Sequence, residues 1–201
     1  MKMIYLAIGL IFSALVLMLI LHAKDSIGRQ TVGGGQKAKE QPSLEIPAGD
    51  QADQNKSMTI SSPIFVHNGG LPISATCGGK GVNPPLEISG TPKDAKSLAL
   101  IFEDPDAPNG TFIHWVLWNI DPSTIIIKEN SVPDGAFEGI TSENRPGYVA
   151  ACPPSGTHRY FFYLFALDTA LDLPASTTAI ELEHAMEGHV IESTHIAGLY
   201  R

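Results

Sequence analysis

The nine-residue run Arg159–Leu167 (RYFFYLFAL) constrains the fold more than any other segment of the chain. Five of its residues are aromatic, too many for an ordinary surface helix, and the run suits a central β-strand. Ser97–Phe102 (SLALIF), Ile113–Ile120 (IHWVLWNI) and Thr124–Lys128 (TIIIK) are further apolar, β-branched or aromatic runs of strand length. Turn chemistry separates them, at Asn83-Pro84-Pro85, Asp104–Gly110, Val132–Gly135 and Cys152–Gly156. The chain's 15 prolines and 19 glycines agree with turns between strands rather than a helical bundle.

One late segment has helical periodicity. Thr178 and Glu181 form a capping-box pattern, with the threonine placed to accept a backbone N–H and the glutamate to reach back. Leu182, Ala185, Met186, His189 and Val190 then recur at helical spacing, so His189 is expected on the packed face and His184 and His195 at the surface. The expected architecture is all-β: a Greek-key-like β-sandwich with one helix docked near the C terminus.

The folded domain is expected over residues 58–201. Residues 1–22 read as a transmembrane anchor or signal helix. Met3 to Leu21 carries no charge, and a helix of that length spans about 28 Å. A cleaved signal peptide is the rival, although its apolar region is normally shorter and Leu19-Ile20-Leu21-His22 offers poor cleavage chemistry. Residues 23–57, with Gly33-Gly34-Gly35 and no apolar periodicity, read as a flexible linker. The domain is therefore expected outside the cytoplasm, either membrane-anchored or released.

Charge excludes one class of function. From Met58 onward seven Lys and Arg face sixteen Asp and Glu, a net charge of −9, which repels a phosphodiester backbone and sets nucleic acid aside as a partner. Cys77 and Cys152 fall in the exported part, where they are either disulfide-bonded or two free thiols.

Two segments concentrate the chemistry. Glu103-Asp104-Pro105-Asp106-Ala107-Pro108 follows a strand and is succeeded by His114-Trp115. These residues could bind a metal, act as an acid–base pair or orient hydrogen-bond donors. Equally, the aspartates could only cap turns while His114 packs beside Trp115. The second segment is Gly147–Tyr160, with Cys152-Pro153-Pro154, Gly156 and then His158-Arg159-Tyr160. Strand alternation places His158 and Tyr160 on one face and Arg159 on the other. Arg159 is thus expected to pair with Asp104 or Asp106 and tie the two loops together.

Together these segments resemble the phosphatidylethanolamine-binding protein (PEBP) family, also called Raf kinase inhibitor-like proteins, and most closely its prokaryotic YbhB/YbcL-like branch. The resemblance runs from about Thr76 to Arg201. It includes Asn83-Pro84-Pro85-Leu86, Ser97–Leu100, Asp104–Pro108, His114-Trp115-Val116, Cys152-Pro153-Pro154, His158-Arg159-Tyr160 and Gly198-Leu199-Tyr200, all in order. It implies a shallow pocket for phosphate, acetate or a phospholipid or phosphopeptide head group, lined by Asp104, Asp106, Pro108, His114, Trp115, Pro153, His158 and Tyr160. It also implies action by binding, for instance inhibition of a kinase or protease, with no catalytic residue, cofactor or metal. The chain departs from the family pattern at Gly78, where the branch often has aspartate, at Ala150 and Ala151, and at Asp121-Pro122. Two other readings stand beside this one. The domain could bind a protein partner over a vestigial pocket, or it could be a hydrolase using the Asp/His cluster with Cys152 or Ser155 as nucleophile. The hydrolase reading lacks a G-x-S-x-G elbow or H-x-x-x-H spacing.

Overall fold

The computed structural model describes residues 57–201. The expected anchor, and all of the expected linker but Ser57, lie outside the described residues. Among the described residues no helix is long and apolar enough to cross a membrane.

Among the described residues nine strands form two sheets. β1 (Thr59–Ser61), β3 (Leu86–Ser89) and β6 (Ile126–Ile127) make a three-stranded sheet in the order β1-β3-β6. β2 (Gly69–Gly70), β4 (Ser97–Asp104), β5 (Phe112–Ile120), β7 (Phe137–Glu138), β8 (His158–Leu167) and β9 (Val190–Tyr200) make the larger sheet, ordered β2-β9-β8-β4-β5-β7. After the β4–β5 hairpin the chain crosses to the small sheet at β6, returns to the large sheet as β7 beside β5, and later adds β8 beside β4. Such a long return connection is the kind a Greek key requires. The RYFFYLFAL run is a central strand, hydrogen-bonded to β4 on one side and β9 on the other.

Alternation along β8 and β4 divides the core in two. Tyr160, Phe162, Leu164 and Ala166, with Leu98, Leu100 and Phe102, face the small sheet and meet Ile60, Leu86, Ile88 and Ile127. Ala99, Ile101, Val116, Trp118 and Leu167 face the other way and are covered by Leu182 and Met186 of α1 (Ala179–Met186). Stacking is closest between Phe102 and Phe162, whose rings lie 3.9 Å apart and 4° from parallel.

Two bulges on β5 adjust this division. Phe102 pairs with Trp115 but Glu103 with Ile113, so His114 is an extra residue, and it joins Trp115 on the sandwich-facing side. Leu98 pairs with Ile120 and Leu100 with Leu117. The extra length there includes Asn119, at φ 54°, and turns Ile120 back into the main core.

Three features differ from expectation. The TIIIK segment pairs only over Ile126–Ile127, and Ile125 is 74% exposed. The helix has the expected capping box at Thr178 and Glu181, but it stops at Met186 because Gly188 takes φ 78° and turns the chain. His189 is consequently exposed and bonds Asp168 at 2.8 Å instead of packing on the helix. Val190 then begins β9, at eleven residues the longest strand described. Its apolar start falls in phase with the helical repeat, which hid the strand. The small β2 also runs parallel to β9, against the antiparallel rule of the other pairs.

Two measurements check this packing. Phe102→Ala removes one ring of the tightest aromatic stack and should cost about 3–5 kcal/mol in urea unfolding. Glu103, on the helix-facing side of β4, has its carboxyl raised to about 7 by burial and by the charges of Glu183 and Asp104. Below pH 4.5 it is protonated in both folded and unfolded chains. Between 4.5 and 7 the unfolded chain ionises while the folded one retains its proton, so stability is lost as pH rises through about 7. Glu103→Gln should stabilise the fold at pH 8, by on the order of 1–2 kcal/mol of unfolding free energy, and leave its stability unchanged at pH 4.

Candidate functional site

The chemistry-bearing residues meet at one end of the sandwich, where β4 and β8 run out of apolar partners. β4 is apolar through Phe102, and its next sandwich-facing position is Asp104. On β8 the corresponding residues are Tyr160 and His158. The two strands thus bring the Asp104 carboxylate against the His158 imidazole, with Oδ2 and Nδ1 at 2.7 Å. The pair is almost fully buried, at 5% and 9% side-chain exposure. A carboxylate at that distance accepts from Nδ1–H, which fixes the ring orientation and leaves Nε2 to a ligand. The other carboxylate oxygen accepts the Asp106 N–H at 2.8 Å, so Asp104 also shapes the loop that follows it.

His114 reaches the same place through the first β5 bulge. Its ring lies 5.4 Å from Tyr160 and 5.1 Å from Phe102. Its Nδ1 lies 3.0 Å from the Val149 carbonyl; since a carbonyl only accepts, Nδ1 carries the proton. Burial lowers the His114 pKa below the ordinary histidine value, against the opposing effects of the Val149 bond and Asp104. The neutral ring therefore presents a bare Nε2.

Tyr160 completes the cluster. It is fully buried, and its hydroxyl has no well-formed hydrogen bond to another described residue. Burial first, then the charge of Asp104, holds the phenol well above the usual tyrosine range, so it remains a donor at any physiological pH. A buried hydroxyl with no protein partner costs free energy unless something else satisfies it.

Arg159 faces outward, as alternation requires, and its partner is Asp106 rather than Asp104. Nε and Nη2 donate to the two oxygens of Asp106 at 2.8 and 2.7 Å, and the Arg159 backbone N–H adds a third bond at 2.9 Å. These bonds hold the Asp106 carboxyl down to about 2. The pair clamps the Asp104–Gly110 loop to the start of β8 from outside, so Asp106 acts on the site through the loop.

The opposite rim is the Val149–Pro153 segment. Cys152 is disulfide-bonded to Cys77, with Cα atoms 5.3 Å apart. Ala151 accepts from the Cys77 N–H at 3.0 Å and donates to the Ala75 carbonyl at 3.2 Å. Tyr148 stacks on Phe102 at 5.4 Å and donates its hydroxyl to the same Ala75 carbonyl at 3.0 Å. This rim positions the Val149 carbonyl that orients His114. Pro153 is half-buried on the rim and Pro108 is exposed on the facing loop. Ala150 sends its methyl toward Gly81, 3.3 Å from where a side chain there would begin.

Trp115 does not line the site. It is 1% exposed, sits in the core edge-on to Tyr148, and donates its indole N–H to Glu138 at 2.8 Å. The bulge gives His114 and Trp115 a common side, but only the histidine is near the sandwich end. The disulfide also removes Cys152 as a free nucleophile. Among the described residues no group of three or more His, Cys, Asp or Glu side chains is arranged to hold a metal ion. The Val149 carbonyl is a functional group that residue types could not have signalled, because the backbone supplies it.

Comparisons with known proteins identify the family and agree with the fold. A family model described as phosphatidylethanolamine-binding protein matches residues 61–201. A UPF0098 protein of Methanothermobacter thermautotrophicus is 44% identical over 149 residues, covering 72% of this chain and 99% of its own. A UPF0098 protein of Chlamydia trachomatis is 37% identical over 148 residues, covering 71% and 98%. Among solved structures, CT736 of Chlamydia trachomatis, described as a homolog of the same family, superposes with a TM-score of 0.71 at 36% identity, covering 73% of this chain and 99% of that one. YbcL of E. coli, described as a member of the mammalian PEBP family, gives 0.68 at 25% identity, with 73% and 99% coverage. The chain belongs to the phosphatidylethanolamine-binding protein family.

Proposed function

We propose that the domain is a binding protein for a small anion, inorganic phosphate or a phosphorylated head group, and acts through occupancy rather than turnover. The buried Tyr160 hydroxyl carries this reading: it makes no well-formed hydrogen bond to a described residue, and its ring lies 5.4 Å from that of His114 and 6.4 Å from that of His158. His158 and His114 each have Nδ1 committed to the protein, to Asp104 and Val149, and each has Nε2 left for a ligand. An oxyanion accepts from all three groups once the imidazoles are protonated. The fixed Asp104–His158 orientation means that little ordering is needed at binding.

In this reading ligand occupancy modulates a protein partner such as a kinase or protease, and the N-terminal segment tethers or exports the domain. The Cys77–Cys152 disulfide supports an oxidising compartment. A hydrolytic reading has less support. Cys152 is held in the disulfide, and Ser155 lies exposed on the rim with no hydrogen bond to His114 or His158 among the described residues.

Inorganic phosphate should raise the thermal midpoint of the full-length protein in proportion to ln(1 + [L]/Kd), as a ligand specific for the native state does. His158→Ala and His114→Ala should remove that shift while each remains folded by circular dichroism. An unchanged midpoint across millimolar phosphate and phosphorylated head groups counts against the anion site.

Binding should also tighten as pH falls. A His114 pKa below the ordinary value means that Nε2 is bare at neutral pH and becomes a donor only on protonation. Phosphate affinity measured calorimetrically from pH 8 to pH 5.5 should increase in the parent protein, with a weaker dependence in His114→Gln. A flat profile in the parent would show that His114 donates nothing to the ligand.

A further inference from the structure

We propose that Tyr200 is a second phenolic donor of this site, admitted by the glycine at position 78; the assignment rests on the anion reading above and extends it. Tyr200 is the last residue of β9 and lies directly opposite His158 in the antiparallel β8–β9 pair. Residues opposite one another on paired strands project to the same face, so phenol and imidazole leave the sheet together. The Tyr200 ring is half-buried against the main core, at the same end of the sandwich as Asp104 and Tyr160.

Gly78 fixes where the phenol oxygen lies. A Cβ built on Gly78 would come within 2.8 Å of the Tyr200 hydroxyl and 2.8 Å of Ile73 Cδ1. The space that a side chain at 78 would occupy is therefore filled from across the site by Tyr200. Gly78 adjoins Cys77, which the disulfide ties to the Cys152–Pro153 rim, so the hydroxyl spans from β9 to that rim. Tyr200 is also close enough to contribute to the raised pKa of the Tyr160 phenol. Tyr200 is half-exposed where Tyr160 is buried, so its side chain can be reached from solvent.

The consequence is chemical. Two phenols and, once protonated, two imidazole Nε2 atoms are donors that approach from different elements of the fold, whereas the acceptor positions of a carboxylate all lie in one plane. A tetrahedral phosphoryl group, with three terminal oxygens, fits that set. A glycine at 78 also keeps a carboxylate away from the anion, since any acidic side chain there would displace the phenol.

The test uses full-length protein and inorganic phosphate in titration calorimetry. Tyr200→Phe keeps the ring and removes only the hydroxyl. It should weaken phosphate roughly tenfold, the worth of one hydrogen bond to a charged group, with the ligand-free thermal midpoint unchanged. Gly78→Ala should weaken binding too, by displacing the hydroxyl, and the double variant should be no weaker than Tyr200→Phe alone. Tyr200→Phe binding phosphate as tightly as the parent overturns the assignment of Tyr200 and leaves the anion site standing. No phosphate binding by the parent overturns the anion reading itself, and this assignment with it.

Discussion

Two-sided burial of β4, the hydrogen-bonded partner of β8, is the constraint on which the rest of the structure depends. A strand with apolar or aromatic side chains on both faces must be covered twice. One face of β4 and β8 is covered by the small sheet, and β4 and β5 meet the helix on the other. Once β4 is central, β5 and β8 become its hydrogen-bonded neighbours. The residues beyond the apolar stretch of β4 and β8 then come together at one end. Asp104 and His158 thus meet because two strands lose their hydrophobic pattern at the same level of the sheet.

The β5 bulges show how a small backbone irregularity selects function. Without the extra residue at His114, alternation along β5 would send its imidazole toward the helix-facing side, with Val116 and Trp118. With it, the ring joins Phe102 and Tyr160 on the sandwich side. The Val149 carbonyl then orients the ring from the facing rim. Sheet geometry supplies the position, and a loop supplies the tautomer.

Charge is distributed to suit the same arrangement. The described domain is acidic, yet its site-forming carboxylates are each bonded locally. Asp104 is held by His158, and Asp106 by a bidentate Arg159 on the outer surface. The outer pair is solvent-exposed and contributes little to global stability. Its effect is to hold the loop after Asp104 in register with the start of β8. The rim opposite is fastened by a covalent link instead, and both fastenings leave the histidine Nε2 atoms unencumbered.

Much of this was legible in the residues alone. The central strand, the capping box, the outward turn of Arg159 and the shared face of His158 and Tyr160 all follow from local periodicity, which needs no knowledge of the rest of the chain. The resemblance of the ordered motifs to one family was likewise readable from sequence, and the family match confirms it. Tertiary structure decided what periodicity could not. Gly188 ended the helix early, turned His189 to solvent and released Val190–Tyr200 as a strand, because pairing with β8 outweighed a helical repeat only partly supported by its residues. Burial of Trp115 and selection of Asp106 over Asp104 by Arg159 depend on contacts across the sheet that no local pattern encodes. The disulfide and the meeting of Gly78 with Tyr200 join segments 75 and 122 residues apart. Side-chain types along a strand therefore determined which groups this protein has to offer, and only the packed sheets determined which of them stand within reach of one another.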